Sequence, residues 1–440
     1  MSENPPLEPE EVPYVGRVWR SVGIVLTGRA GAAVASLATT LIIARALGPV
    51  NYGLFAVLAA ILNVAAGLLS PAIDTSAVRC AAQASKEHPD AALPYFRAAL
   101  RLKLWLVAAT VAAGVSAAPW LTTRFLADTS VVPSGTTALA FVGAATLILW
   151  GFAQAFLQTR EEFKAYAGYE FLNALVRLSI VVVLVAGTST RLGTLFGTYA
   201  LAPVLVTVFS WLRLPRPVLA QRKVAPALIW ELIHFGKWVA AASIATSLAQ
   251  RLDLFLLSWF QVPKDALGHY GAAASLVLMG DLVILTLFQV LLPQASRLHS
   301  NAEMRAFLHR FLVPLLAAGV AMLPLILGSS YVVEFAFGAA YSDSAGLFSI
   351  LLSGATVAFV CAPAGAAVYA MGRPRLIAAL EAVKLISIFL PALWVVPHYG
   401  PVGMACTVAA VKGTMGVITY AVAYRVAGSA PAFSSEGRPT

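Results

Sequence analysis

Apolar runs of about 20 residues, each long enough to cross a bilayer as a helix, recur along almost the whole chain with only short polar gaps between them. No other feature constrains the fold as much. Of 440 residues, 60% are apolar and only 11% are charged, against about 25% charged in an ordinary soluble domain. The mean hydropathy is +0.82. Water cannot solvate that much aliphatic surface, which excludes disorder, a coiled coil and a conventional soluble enzyme. Twelve runs are counted, at 22–46, 53–74, 101–121, 136–158, 168–187, 193–213, 231–260, 268–292, 306–328, 346–370, 376–396 and 402–424. None shows the ten-residue alternation of a membrane β-barrel. The expected fold is an all-α membrane protein with twelve transmembrane helices. The seventh run is long and carries charge, so a tilt or a break is expected there.

Lys and Arg set the orientation. With the N-terminus inside, twenty of them fall in cytosolic segments, Lys103 included, and four fall outside: Arg45, Arg124, Arg191 and Lys264. Six remain within spans. Such a bias holds the cationic loops in the cytosol, and an even number of crossings puts both termini there. The net charge of +10 therefore reflects membrane topology, and no nucleic-acid partner is expected. The N-terminal stretch carries Glu3, Glu8, Glu10 and Glu11 and lacks the basic n-region of a signal peptide. Cys80, Cys361 and Cys406 lie too far apart for a disulfide frame or metal spacing.

A faint repeat runs through the spans. Tyr52-Gly53 opens the second and Tyr270-Gly271 opens the eighth, and the same offset sets Asn63 against Asp281. Glu170 in the fifth similarly matches Glu381 in the eleventh. Two six-span halves in one orientation are related by an axis along the membrane normal, a transporter plan with the substrate path between halves. The expected organisation is a cytosolic tail at 1–21, a six-helix lobe at 22–213, a linker at 214–230, a second six-helix lobe at 231–424 and a tail at 425–440.

The stretch Ala44-Arg45-Ala46-Leu47-Gly48-Pro49-Val50-Asn51-Tyr52-Gly53-Leu54-Phe55 resembles the first hairpin of bacterial polysaccharide flippases. These form the oligosaccharide and O-antigen branch of the multidrug/oligosaccharidyl-lipid/polysaccharide exporter superfamily. Arg251-Leu252-Asp253, Gly268-His269-Tyr270-Gly271-Ala272-Ala273 and Leu292-Pro293 resemble the second half of the same family. The resemblance implies a V-shaped pair of lobes in the bacterial inner membrane. It further implies that a lipid-linked saccharide is moved from the inner to the outer leaflet by alternating access.

A charge in mid-bilayer costs about 2.5–3.5 kcal/mol on insertion scales, so it faces a cavity or a partner. Arg29 reads either as a contact for the diphosphate of a prenyl-linked sugar or as a snorkelling side chain. Arg177 reads as a substrate contact or a structural one, with Glu170 two turns away on the same face. Arg251 and Asp253 either line the cavity or cap a shorter helix, and a break there would free carbonyls for a cation. Asp281 either titrates or binds Na⁺ for coupling, or it bonds across helices. Lys412 is expected to pair with a carboxylate of the second lobe. Glu381 and Lys384, at i,i+3, are expected to pair with each other. Lys237 is expected to snorkel. Trp105, Trp211, Trp230, Trp259 and Trp394 read as interfacial anchors.

No GxxxxGK[ST] loop, HExxH helix or Cys/His cluster occurs, so no nucleotide, metal or other cofactor is expected. The sequence points to a non-enzymatic flippase for a polyprenyl-diphosphate-linked saccharide, driven by Na⁺, H⁺ or the membrane potential. Membrane lipids and glycan-assembly proteins are its expected partners. A multidrug exporter of the same superfamily would need a lumen dominated by carboxylates. A membrane-embedded glycan-processing enzyme would need outer-face carboxylates or a metal.

Overall fold

The computed structural model describes residues 12–85, 91–126, 132–187, 191–219, 224–296, 298 and 300–428, with side chains from Thr27 onward except at Gln289, Pro293 and Pro374. Of the basic residues counted above, Lys86, Arg222, Lys223, Arg297 and Arg438 lie outside the described residues, and so do 1–11 of the first tail and 429–440 of the last.

The described chain holds helices and turns but no strand. In hydrocarbon every backbone N–H and C=O needs a partner within its own segment, and a helix supplies one. The helices are α1 (Val12–Gly67), α2 (Ser70–Ala84), α3 (Ala92–Leu121), α4 (Ser134–Thr159), α5 (Phe163–Ala186), α6 (Leu192–Leu201), α7 (Pro203–Trp211), α8 (Arg216–Leu219) and α9 (Pro226–Ala249). They continue with α10 (Leu252–Trp259), α11 (Lys264–Ala295), α12 (Asn301–Val320), α13 (Leu323–Leu327), α14 (Ser329–Phe337), α15 (Ser344–Val360), α16 (Ala362–Ala370) and α17 (Pro374–Val426). The expected N-terminal tail is already helical from Val12.

Prolines set several breaks. Pro203, Pro324 and Pro363 each sit in the first turn of a new helix, where the missing N–H costs nothing. They split three of the expected runs into the pairs α6–α7, α12–α13 and α15–α16. The seventh run is broken, as its length and charge suggested. Arg251, at φ −134° and ψ 2°, interrupts it between α9 and α10.

Among the described residues ten stretches are long and apolar enough to cross a membrane, and the chain is a multi-pass membrane protein. Two of them, Thr27–Ala84 with 58 residues and Arg375–Val426 with 52, would run about 80–90 Å as straight helices at 1.5 Å per residue. The hydrocarbon is about 30 Å thick, so neither fits one crossing. Each carries a glycine in a backbone region closed to other residues, Gly48 (φ 68°, ψ 170°) and Gly400 (φ 55°, ψ −142°). A proline follows each, Pro49 and Pro401, and opens the next helical segment.

The apolar packing is uneven along the bundle. Near Gly48 one core takes residues from both halves of the chain, including Ile43, Leu58, Phe196, Leu257, Tyr270 and Ala405. Elsewhere, besides a small alanine contact between α1 and α5, two smaller cores form. One gathers α2, α3, α4 and the start of α9 around Phe96, Phe152 and Leu232. The other gathers α11, α12, α16 and α17 around Leu291, Met304 and Ala423. The two glycine-bearing motifs meet in the shared core. A Cβ on Gly53 would lie 2.6 Å from the Lys264 carbonyl oxygen, and one on Gly271 would lie 3.0 Å from Ala56 Cβ. Glycine lets α1 and α11 approach this closely.

Candidate functional site

The shared core is laced by polar contacts between the first and second halves. Arg45 donates to the carbonyls of Ala336 (3.0 Å) and Phe335 (2.5 Å), at the C-terminus of α14. There a cation meets the unsatisfied carbonyls and the negative end of the helix dipole. In return the Tyr341 hydroxyl donates to the Ala44 carbonyl at 2.7 Å, beside the Gly48 turn. A second set joins the π-helical turn Thr122–Leu126 to α10. Gln261 donates to the Arg124 carbonyl at 2.7 Å, Ser258 donates to the Phe125 carbonyl, and the Arg124 guanidinium stacks 3.8 Å from the Trp259 ring centre. Trp259 and Trp211 are thus more than interfacial anchors, since Trp211 also donates to the Leu149 carbonyl at 3.2 Å.

Away from that end lie three groups of charged side chains. In the first, Arg29 on α1 pairs with Glu170 on α5 at 3.1 Å and donates to the Tyr166 hydroxyl at 2.7 Å. Arg29 therefore neither snorkels nor stands free. Opposite charges near the same ends of the first and fifth runs were a usable signal for this pair.

The second group was missed by sequence reasoning, which put Lys103 in a cytosolic segment. Lys103 is instead fully buried in α3. Its ammonium donates to Asp74 (2.8 Å), to the Ser70 hydroxyl (2.6 Å) and to the Ile148 carbonyl (2.9 Å). Ser70 and Asp74 share one face of α2 at i,i+4. Gly151 of α4 leaves the room they need, because a Cβ there would lie 2.8 Å from Asp74 Oδ2. Asp74 Oδ1 is buried with no hydrogen-bond partner. Removing one member of such a pair costs about 3–5 kcal/mol. Lys103→Met is expected to cost stability of that order, seen as a lower denaturation midpoint, and Lys103→Met/Asp74→Leu to recover part of it. A thermal-denaturation cycle over the four proteins reads the coupling.

The third group lies in a cavity of about 500 Å³ walled by α9, α10, α11, α15, α16 and α17. Arg251, Asp253, Asp281, Glu381, Lys384 and Lys412 all line it. Lys412 finds its expected carboxylate in Asp281, at 2.5 Å. Lys384 pairs with Glu381 at 3.0 Å, as their spacing suggested. Asp253 accepts from the Tyr270 hydroxyl and from the Leu254 N–H, both at 2.8 Å. The carbonyl of Arg251, at the helix break, accepts from the Phe255 N–H at 3.2 Å and is not free. Lys237 is exposed on α9 and does not line this cavity.

Of the three arginines expected to receive a diphosphate, Arg251 alone is on this wall. Arg177 lies on α5 with its guanidinium 4.3 Å from the Tyr199 ring centre, and its Nε is buried with no hydrogen-bond partner. Arg251 and Tyr199, the ring beneath Arg177, are each within electrostatic reach of the buried Tyr52, whose hydroxyl bonds Ser275 at 2.9 Å. Among the described residues neither arginine has an ion-pair partner. Glu170, which shares a face with Arg177, is taken by Arg29.

No group of three or more His, Cys, Asp or Glu placed to hold a metal occurs among the described residues. No curated protein matches the sequence. Among solved structures the chain is similar to the lipid II flippase MurJ in an inward closed conformation. The two share 14% identity and a TM-score of 0.71, over 91% of this chain and 87% of that one. An inward-facing multidrug resistance MATE family transporter of the MOP superfamily aligns with TM-score 0.69 and 14% identity, over 90% and 94%. A MOP superfamily transporter from Pyrococcus furiosus, described by the reverse polarity of its binding pocket, aligns with TM-score 0.58 and 13% identity, over 94% and 96%. At such identities the likeness concerns the fold, which is that of these transporters. In sequence, the polysaccharide biosynthesis protein family matches residues 18–299, more than half of the chain, and the chain belongs to that family.

Proposed function

We propose that this protein is a flippase moving a polyprenyl-diphosphate-linked oligosaccharide or polysaccharide unit from the inner to the outer leaflet of a bacterial inner membrane. Read as two crossings each, the 58- and 52-residue stretches bring the count of ten to twelve. The crossings then form six-helix lobes at 22–213 and 231–424 about a pseudo-two-fold along the membrane normal, with both termini cytosolic. The observation that carries the reading is the uneven packing: the largest core ties the lobes at the Gly48 end, while elsewhere α9 leans on α2, α3 and α4 of the first lobe and α11, α12, α16 and α17 keep a core of their own. Lobes joined chiefly at one end can rock about it, as alternating access requires. In this orientation the tied end is the outer one.

Arg177 and Arg251 are the proposed diphosphate contacts. Neither guanidinium is committed to a carboxylate, and a guanidinium fork suits phosphate oxygens. Arg29, joined to Glu170 and Tyr166, enters when the anion competes with Glu170. The sugar occupies the wet space between lobes while the prenyl tail stays in lipid. A unit charge moving through 100 mV carries about 2.3 kcal/mol, enough to bias the cycle without nucleotide hydrolysis. The fold likeness to MATE transporters favours a second reading, an exporter of cationic drugs. Such cargo needs open carboxylates, and those of the cavity already have internal donors.

The test is leaflet accessibility in proteoliposomes. A polyprenyl-diphosphate oligosaccharide added to one leaflet should become cleavable by a membrane-impermeant glycosidase on the other side only when the protein is present. Transport of lipophilic cations with no saccharide translocation would select the multidrug reading instead.

A further inference from the structure

The cavity of the second half balances its own charge. Three acidic side chains, Asp253, Asp281 and Glu381, face three basic ones, Arg251, Lys384 and Lys412. A carboxylate in a low-dielectric hollow stays ionised only with a compensating cation or donor; otherwise it takes up a proton. Here each carboxylate has its compensation from the chain itself. Glu381 has the Lys384 ammonium, and Asp253 has the Tyr270 hydroxyl and the Leu254 N–H. Asp281 has the Lys412 ammonium at 2.5 Å. Lys412 comes from α17, Asp281 from α11 and Asp253 from α10, and Lys412 is also within electrostatic reach of Asp253. The ammonium therefore stands where three helices converge on two carboxylates.

We propose that Lys412 is a tethered cation. Its ammonium occupies, through its own side chain, the place beside Asp281 that a dissociable metal cation would need, and it makes this lobe independent of Na⁺. A metal cation at a carboxylate tolerates no competing positive charge there. With the Lys412 ammonium on it, Asp281 fails that condition. With Lys412 in place the site does not fit Na⁺, and this removes Asp281 as a Na⁺ coupling site for the flippase reading. The inference rests on that reading only for its bearing on transport, because the occupancy of Asp281 by Lys412 is a property of the folded chain.

The experiment uses the purified full-length protein in detergent, with no saccharide present, so its failure and the failure of the flippase reading are distinguishable. Thermal denaturation midpoints are recorded in rising NaCl against choline chloride at equal ionic strength. The wild-type curves should superimpose. In Lys412→Met, Na⁺ should raise the midpoint saturably, by about 2 °C at tenfold over its dissociation constant. The added change Asp281→Asn should abolish that response. In Lys412→Cys the response should appear, and alkylation with 2-bromoethylamine, which restores an ammonium, should remove it. A saturable Na⁺ shift in the wild type that Asp281→Asn abolishes would overturn the proposal, as would folded Lys412→Met and Lys412→Cys proteins that ignore Na⁺. Where neither variant folds, the wild-type arm decides: superimposed curves support the proposal, and an Asp281-dependent Na⁺ shift overturns it.

Discussion

Arg177→Ala/Arg251→Ala is expected to reduce saccharide translocation about a hundredfold or more, with each single change giving about tenfold or more. Hydrogen bonds to charged groups contribute about 1.5–3 kcal/mol each, and about 1.4 kcal/mol is a factor of ten. Two guanidiniums on one diphosphate reach the larger figure. The change should fall on function and spare the fold. Neither side chain has an ion-pair partner among the described residues, and Arg177 Nε is buried without a hydrogen-bond partner, so truncation strands no paired carboxylate. The measurement is glycosidase accessibility in proteoliposomes alongside the denaturation midpoint of each variant. Lysine at either position should restore part of the rate, since it keeps the charge and loses the fork. Unchanged translocation in the double variant would remove these two residues from the site and leave the fold untouched. Arg29→Ala is less informative, because it also strands Glu170.

Gly268→Val should prevent the chain from reaching its native packing. A Cβ at this position would lie 1.8 Å from the Pro49 carbonyl oxygen and 2.6 Å from its carbon. Both atoms are backbone, so no rotamer change relieves the clash. The α1 segment after Gly48 would have to move off α11, opening the largest core that both halves share. The expected cost exceeds about 4–5 kcal/mol, the range reserved for overpacking and strain of this kind. Gly280→Ala, in the same helix, is the control. Nothing lies within 4 Å of its added Cβ, and helical Gly→Ala stabilises by about 0.5–1 kcal/mol. Monodisperse yield on size-exclusion and the denaturation midpoint separate the two. A Gly268→Val protein with wild-type yield and midpoint would show that the α1–α11 contact does not hold the halves together.

The repeated Tyr-Gly motifs illustrate what a linear pattern carries. Their matched spacing suggested two related halves, but nothing in it said that the motifs pack against each other. Gly53 meets Lys264 and Gly268, and Gly271 meets Ala56, because helices pack by surface and not by position in the chain. The matched carboxylates behave differently. Glu170 pairs across helices with Arg29, whereas Glu381 pairs one turn along its own helix with Lys384. Equivalent positions in a repeat need not inherit equivalent partners.

Hydropathy by itself determined that the chain is helical and crosses the membrane many times, and with charge it marked the break in the seventh run. Those properties are local: transfer into hydrocarbon and backbone satisfaction are settled within each segment. Tertiary structure alone decided which charges are spent and which are available. Lys103, close to the start of a run, looked solvated, yet α2 and α4 close over it and hand it Asp74, Ser70 and the Ile148 carbonyl. Arg29 and Arg177 looked alike in sequence, yet Glu170 reaches only the first. In a low-dielectric interior the energy of a charge depends on what lies within a few ångströms of it, and those neighbours come from distant parts of the chain.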